Sequence, residues 1–157
     1  MYKKNIINAM KFAAVGDAIG YKFEFSNHVT PDDVDNMIAM VINGNHSPLN
    51  FSDDTQMTLF LYEGLYSNDD WTTRGVFDKT VMSYIDWFKT QNGHRELDAQ
   101  GLLSHECMYE RRTPGLTCLS SIEHIIEKNQ IPVNDSKGCG SVMRILPFVS
   151  LIGTNIP

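Results

Sequence analysis

Cysteine is scarce in this chain and poorly placed for a framework: Cys107, Cys118 and Cys139 are odd in number and form no Cys-x-x-Cys. That excludes a disulfide scaffold and a zinc ribbon, and fits a reducing, cytoplasmic setting. Long apolar runs are lacking as well. No stretch of ~18 apolar residues occurs, so no membrane span is expected. The opening Met1-Tyr2-Lys3-Lys4-Asn5-Ile6 carries lysines, but Asn8 and Lys11 break the apolar stretch after it, which excludes a secretory signal. The sequon Asn134-Asp135-Ser136 has no consequence outside the secretory route and reads as chance. Positive charge is in deficit. The net charge is −6 and the Lys and Arg residues are scattered, so the footprint of a nucleic-acid binder is missing. His28, His46, His94, His105 and His124 supply no His-x-x-x-His pair and no Cys/His ligand spacing, which argues against a zinc enzyme. Neither Gly-x-x-x-x-Gly-Lys nor Gly-x-Gly-x-x-Gly is present, so a kinase or dehydrogenase built on those phosphate loops is excluded.

What the chain has is helical periodicity. Its 157 residues allow one domain, 1–157, with a real core, since a chain this size buries roughly 68–70% of its unfolded surface. Ile6, Met10, Ala13 and Ala14 mark one face of a first helix, expected to end where Gly16 and Gly20 break the pattern. The apolar piece Met37 to Ile42 reads equally as helix or strand. Met57, Phe60, Leu61 and Leu65 form a stripe at i, i+3, i+4 and i+8. Thr72 or Thr73 caps a further helix, with Phe77, Val81, Tyr84 and Phe88 expected on its buried side. A long polar connection from Gln91 to Pro114 precedes another helix opened by Thr117 and carrying Leu119, Ile122, Ile125 and Ile126. A last helix is expected to begin near Ser141 and to be kinked or ended by Pro147. Four or five amphipathic helices without hairpin signals predict an all-α bundle.

Three segments carry polar groups that packing does not explain. Ser52-Asp53-Asp54-Thr55 puts a hydroxyl and two adjacent carboxylates at the mouth of the Met57–Leu65 helix. Ser at an N-cap and Asp in a first turn are also ordinary helix-start chemistry, worth roughly 0.3–1 kcal/mol through the macrodipole. The same hard oxygens suit Mg²⁺ or Mn²⁺. Gly16-Asp17-Ala18-Ile19-Gly20, followed by Glu24, and Gly138-Cys139-Gly140-Ser141-Val142-Met143-Arg144 are the other two. Each lies at the end or start of a helical pattern, as loops converging on one pocket would.

Together with Arg112-Thr113-Pro114-Gly115-Leu116-Thr117, these motifs in this order resemble those of the ADP-ribosylglycohydrolase family, the group typified by dinitrogenase-reductase-activating glycohydrolase. The resemblance runs from about Ala9 to Phe148. It implies a compact orthogonal all-α bundle and hydrolysis of the glycosidic bond between ADP-ribose and a protein side chain or related acceptor. It implies Glu24 as the catalytic acid/base and Ser52, Asp53 and Asp54 as ligands to a dinuclear Mg²⁺ or Mn²⁺ centre. Two ions roughly 3.5–4 Å apart polarise ribose hydroxyls and activate water, and a carboxylate shuttles protons through an oxocarbenium-like state. The resemblance further makes Asp17, Gly115, Gly138, Gly140 and Ser141 candidates for substrate binding. Each has a local reading beside it. Asp17 orients its loop, reaches the outer layer of the site or makes a turn hydrogen bond. Gly138, Gly140 and Ser141 offer backbone N–H groups to diphosphate or ribose oxygens at a helix start, or serve a tight turn. Gly115 shapes a substrate loop or starts a helix. Arg144 is expected to pair with an acid of the core, and Cys139, where the family often has Asn, to pack as a small residue.

Family members are longer and draw further metal ligands from a C-terminal Asp-x-Asp-Thr that is absent here. Asp33-Val34-Asp35 is followed by Asn36 and precedes the Ser-Asp-Asp motif, so it does not take that role. The expected site is therefore the N-terminal half of the family's, and the bundle is expected to lack the C-terminal helices and expose an apolar face open to self-association or a second polypeptide. Three readings stand open: a hydrolase, a catalytically silent binder of ADP-ribose or a protein partner, and one half of a split enzyme or a fragment of a longer gene product.

Overall fold

The computed structural model describes residues 2–45 and 47–152; His46 is outside the described residues, as are Met1 and residues 153–157. Among the described residues the chain is all-helical: α1 (Tyr2–Tyr21), α2 (Pro31–Ile42), α3 (Asp53–Tyr66), α4 (Thr73–Gln91), α5 (Leu116–Lys128) and α6 (Leu146–Ile152). Two short 3₁₀ turns, Gly101–Ser104 and Glu106–Tyr109, interrupt the long connection between α4 and α5.

Helix α3 is the centre of the molecule, packing on α4 and touching α1 and α6. Its apolar stripe works as its spacing predicts. Met57 and Phe60 join Trp87, Met108 and Ile122 in one buried cluster, while Leu61 and Leu65 head a second with Trp71, Val76 and Phe148 around them. Tyr84 packs against both clusters. The α3–α4 contact is tight enough that a Cβ on Gly64 would come within 1.8 Å of Ser83 Oγ, which is why that mid-helix position has no side chain.

Three expectations are corrected and one open reading is resolved. Helix α1 continues through Gly16 and Gly20 to Tyr21. A glycine costs a helix only about 1 kcal/mol relative to alanine, and burial of Met10 and Ala18 holds the segment helical. The ambiguous piece Met37 to Ile42 is the second half of α2, which Thr30 caps. Asp33 N–H donates to Thr30 Oγ1, Asp33 Oδ2 accepts from Thr30 N–H at 2.9 Å, and Pro31 occupies the first turn. That capping box is written in Thr30-Pro31-Asp32-Asp33. Thr72 caps α4 as expected, and Tyr84 and Phe88 pack against the core, yet the buried positions of that helix are Gly75, Ser83, Trp87, Thr90 and Gln91, while Phe77 is 41% exposed. Docking through Ser83 turns the stripe away from Phe77. Finally, residues 140–144 form turns, and α6 begins only at Leu146. Pro147 sits in its first turn, where a missing N–H breaks no helical bond.

Candidate active site

The site is built on the start of α3. Ser52 is the N-cap: its Oγ accepts from Asp54 N–H at 3.1 Å. Asp17, near the end of α1, reaches across to the same helix end. Its Oδ1 accepts from Ser52 Oγ at 2.7 Å, and its Oδ2 accepts from Ser52 N–H at 2.9 Å, Thr55 N–H at 3.2 Å and Thr55 Oγ1. Asp17 thus ties α1 to α3 and satisfies two backbone donors that a helix start leaves open.

Asp17 takes its donors from Ser52 and Thr55 and leaves the carboxylates of Asp53 and Asp54 to other partners. Both line a cavity of about 630 Å³ together with Glu24, Thr113, Gly115, Cys118, Gly138, Cys139, Gly140, Ser141 and Arg144. Asp53 is 7% exposed. Its Oδ2 accepts from Gly115 N–H at 3.1 Å and its own N–H donates to Arg112 O at 3.1 Å, so α3 is stitched to the entry of α5. Burial pushes the Asp53 carboxyl up to about 6; the Gly115 hydrogen bond opposes this, and the charges of Asp54 and Glu24 add to it. Asp54 is raised too, first by burial, then by the charges of Asp17 and Glu24, against a lowering by Arg144. Glu24 follows α1 in a turn whose N–H groups return to the helix end, and Thr113 Oγ1 donates to Glu24 Oε2 at 3.4 Å. Thr113 holds φ at +52°, an unusual conformation for a β-branched residue. That strained residue stands against the candidate acid/base.

The glycine segment comes to the same cavity, though not as a helix start. Gly138 to Arg144 runs through turns, with Val142 N–H and Met143 N–H both donating to Cys139 O. Gly138 N–H donates to Ser136 Oγ at 3.3 Å. Gly115 is the N-cap of α5, and its N–H goes to Asp53. Arg144 does not pair with an acid as expected. Its Nη1 donates to Met57 Sδ at 3.0 Å and Cys118 Sγ at 3.7 Å, and its guanidinium lies 4.7 Å from the Tyr84 ring centroid. Polarisable sulfur and an aromatic face replace a carboxylate around this cation. Burial raises the Cys118 thiol, and it pushes Tyr84 up to about 12.

The structure therefore brings together Glu24, Asp53, Asp54, Gly115, Gly138, Gly140 and Ser141 around one cavity, with Ser52 and Asp17 directly behind the acidic pair. Thr113, Tyr84 and Cys118 also line the cavity, and none of them stood out as site residues in the sequence. In the sequence, Thr113 is marked only as part of the Arg112-Thr113-Pro114-Gly115 motif, with no role of its own.

The donor types present are of the kind that suits a divalent cation. Two adjacent carboxylates and a hydroxyl are hard oxygen ligands. Among the described residues no Lys or Arg nitrogen comes within 4 Å of Asp53, Asp54 or Glu24 to neutralise them. It is a partial set, since among the described residues no three His, Cys, Asp or Glu side chains group closely enough to hold an ion.

An all-α domain with an acidic helix start facing a carboxylate and a glycine turn defines the class, and a family model places the chain within it. The ADP-ribosylglycohydrolase model matches residues 2–155, and the chain belongs to that family. No curated protein and no solved structure matches it. No helix among the described residues is long and apolar enough to cross a membrane.

Proposed function

We propose that this protein hydrolyses the glycosidic bond between ADP-ribose and a protein side chain or related acceptor, with Mg²⁺ or Mn²⁺ held by Ser52, Asp53 and Asp54. The observation that carries this reading is the convergence of Glu24 with Asp53 and Asp54 on one cavity of about 630 Å³, within the usual range of roughly 300–1,000 Å³ for ligand pockets. When bound, the divalent ion supplies Lewis-acid polarisation of substrate oxygens and orients the ribose. Glu24, at the cavity edge, takes or returns a proton at the scissile bond, and such positioned acid/base groups contribute roughly 10²–10⁴-fold. The N–H groups of Gly140 and Ser141, with Arg144 behind them, favour the diphosphate. Asp53 cannot turn away from the cavity without losing the Gly115 bond, which keeps the acidic pair oriented.

The test is release of free ADP-ribose from ADP-ribosyl-arginine and ADP-ribosyl-serine peptides, with Mn²⁺ or Mg²⁺ and with chelator. Turnover that needs the metal and falls by two orders of magnitude or more in Glu24→Gln and Asp53→Asn is expected. Metal-dependent turnover that survives both substitutions overturns the assignment.

A second reading rests on the partial ligand set: a silent ADP-ribose binder, or one half of a split enzyme. It predicts ADP-ribose affinity without turnover. The outer side of α1, where Phe12 is 79% exposed, and an apolar cavity of about 560 Å³ between α1 and α3 support self-association or a second polypeptide there.

A further inference from the structure

Asp17 is the least explained member of the acidic group, because its carboxylate faces the backbone of α3 and not the cavity that Asp53 and Asp54 line. Each of its four hydrogen bonds comes from a donor, two from Ser52 and two from Thr55. The bond with Ser52 Oγ fixes more than position. A serine hydroxyl has one proton and two lone pairs. Here the proton goes to Asp17 Oδ1 at 2.7 Å and one lone pair receives Asp54 N–H at 3.1 Å, which leaves the second lone pair without a protein donor. Ser52 is 5% exposed, so its hydroxyl has little freedom to rotate toward water. Asp17 thereby leaves Ser52 Oγ an acceptor, the state an oxygen ligand requires.

We propose that Asp17 is a positioning residue that, by holding the Ser52 hydroxyl proton, presents Ser52 Oγ as a ready ligand for a divalent cation beside Asp53 and Asp54. The inference rests on the reading that these residues bind Mg²⁺ or Mn²⁺. The near-isosteric change Asp17→Asn separates direction from shape. An asparagine can place its one carbonyl oxygen against Ser52 N–H and the two Thr55 donors, but its NH₂ group then faces Ser52 Oγ and donates to it. The Ser52 proton must turn elsewhere and the free lone pair is consumed. In the opposite flip, NH₂ faces three donors, which is worse.

The experiment measures Mn²⁺ affinity by electron paramagnetic resonance on the full chain, with circular dichroism confirming that each variant is folded. Outer partners of metal ligands typically carry about 10–100-fold in affinity. Asp17→Asn and Ser52→Ala are each expected to weaken Mn²⁺ binding by about 10-fold or more. In the double variant the loss is expected to equal that of Ser52→Ala alone, because Asp17 acts through the hydroxyl that is gone. Thr55→Val removes an Asp17 contact while sparing Ser52, and is expected to bind as wild type does. Asp17→Asn binding like wild type, or losses that add in the double variant, overturns the proposal while leaving the metal reading intact. A wild-type chain that binds no Mn²⁺ overturns both. A readout independent of variants is the Ser52 hydroxyl proton by NMR. It is expected to stay protected from exchange with and without Mg²⁺, and its loss on Mg²⁺ loading also overturns the proposal.

Discussion

Gln56 is the residue on which the geometry of the site turns, although it faces away from the cavity. It is fully buried and uses both ends of its amide. Nε2 donates to Met108 O at 3.3 Å and Glu110 O at 2.9 Å, while Oε1 accepts from Trp87 Nε1 at 3.3 Å and Gln91 Nε2 at 3.2 Å. The segment it pins leads straight to Arg112, whose carbonyl receives Asp53 N–H and whose guanidinium donates to Phe51 O at 3.1 Å and stacks 4.4 Å from the Phe51 ring centroid. Gln56→Leu keeps the volume and removes every one of these bonds. Each buried polar group left unmet costs about 1–3 kcal/mol, so a loss of about 3 kcal/mol or more in urea unfolding is expected. A loss under about 1 kcal/mol would mean the connection is held by other contacts.

Among the helices, α2 stands apart because none of its residues is buried, so its ends must do what packing does for α3. Thr30→Ala removes the cap, worth typically about 1 kcal/mol, and is expected to raise amide opening across α2 roughly five-fold in hydrogen exchange while leaving α3 unchanged. The same box gives a pH signature. Hydrogen bonds from the Thr30 side chain and backbone hold Asp33 below its usual 3.8. A depressed folded value means the contribution is complete above 3.8 and is lost as pH falls through the folded value, so α2 amides are expected to lose protection in acid. Asp33→Asn should flatten that dependence. Helices were the most legible part of the sequence for a physical reason: a stripe such as Met57, Phe60, Leu61, Leu65 encodes its own burial within one element. Stripe orientation was less so. Phe77 and Ser83 exchange roles because Gly64, on a different helix, decides how closely α4 approaches. Half of the candidate site was legible by the same logic, since a Ser-Asp-Asp helix mouth and glycine turns are local signals. The clasp of Asp17 on Ser52 joins residues 35 apart in sequence, and Arg144 with Met57 joins residues 87 apart. No short-range period carries such pairs.

For the whole molecule, the candidate site is also the seam. Asp17 joins α1 to α3 through Ser52, Asp53 joins α3 to α5 through Gly115, Thr113 reaches the turn after α1 at Glu24, and the Thr58 hydroxyl is shared between Asp54 O at 2.7 Å and Met143 O of the glycine turn at 3.1 Å. A ligand bound there contacts segments from both ends of the chain at once, and binding that favours the folded state stabilises it by mass action. At a free concentration 100 times its Kd the gain is about 2.7 kcal/mol. For a domain of this size 1 kcal/mol moves Tm by roughly 2–4 °C, so ADP-ribose with Mn²⁺ is expected to raise Tm by about 5–10 °C at that concentration. The acidic pair must be intact for the full effect, and Asp53→Asn should lose most of the shift. The expectation is checked by differential scanning calorimetry with ADP-ribose alone, Mn²⁺ alone and both. A wild-type Tm unmoved by the pair at millimolar ligand would remove ligand binding from this seam and leave its hydrogen bonds a purely architectural role.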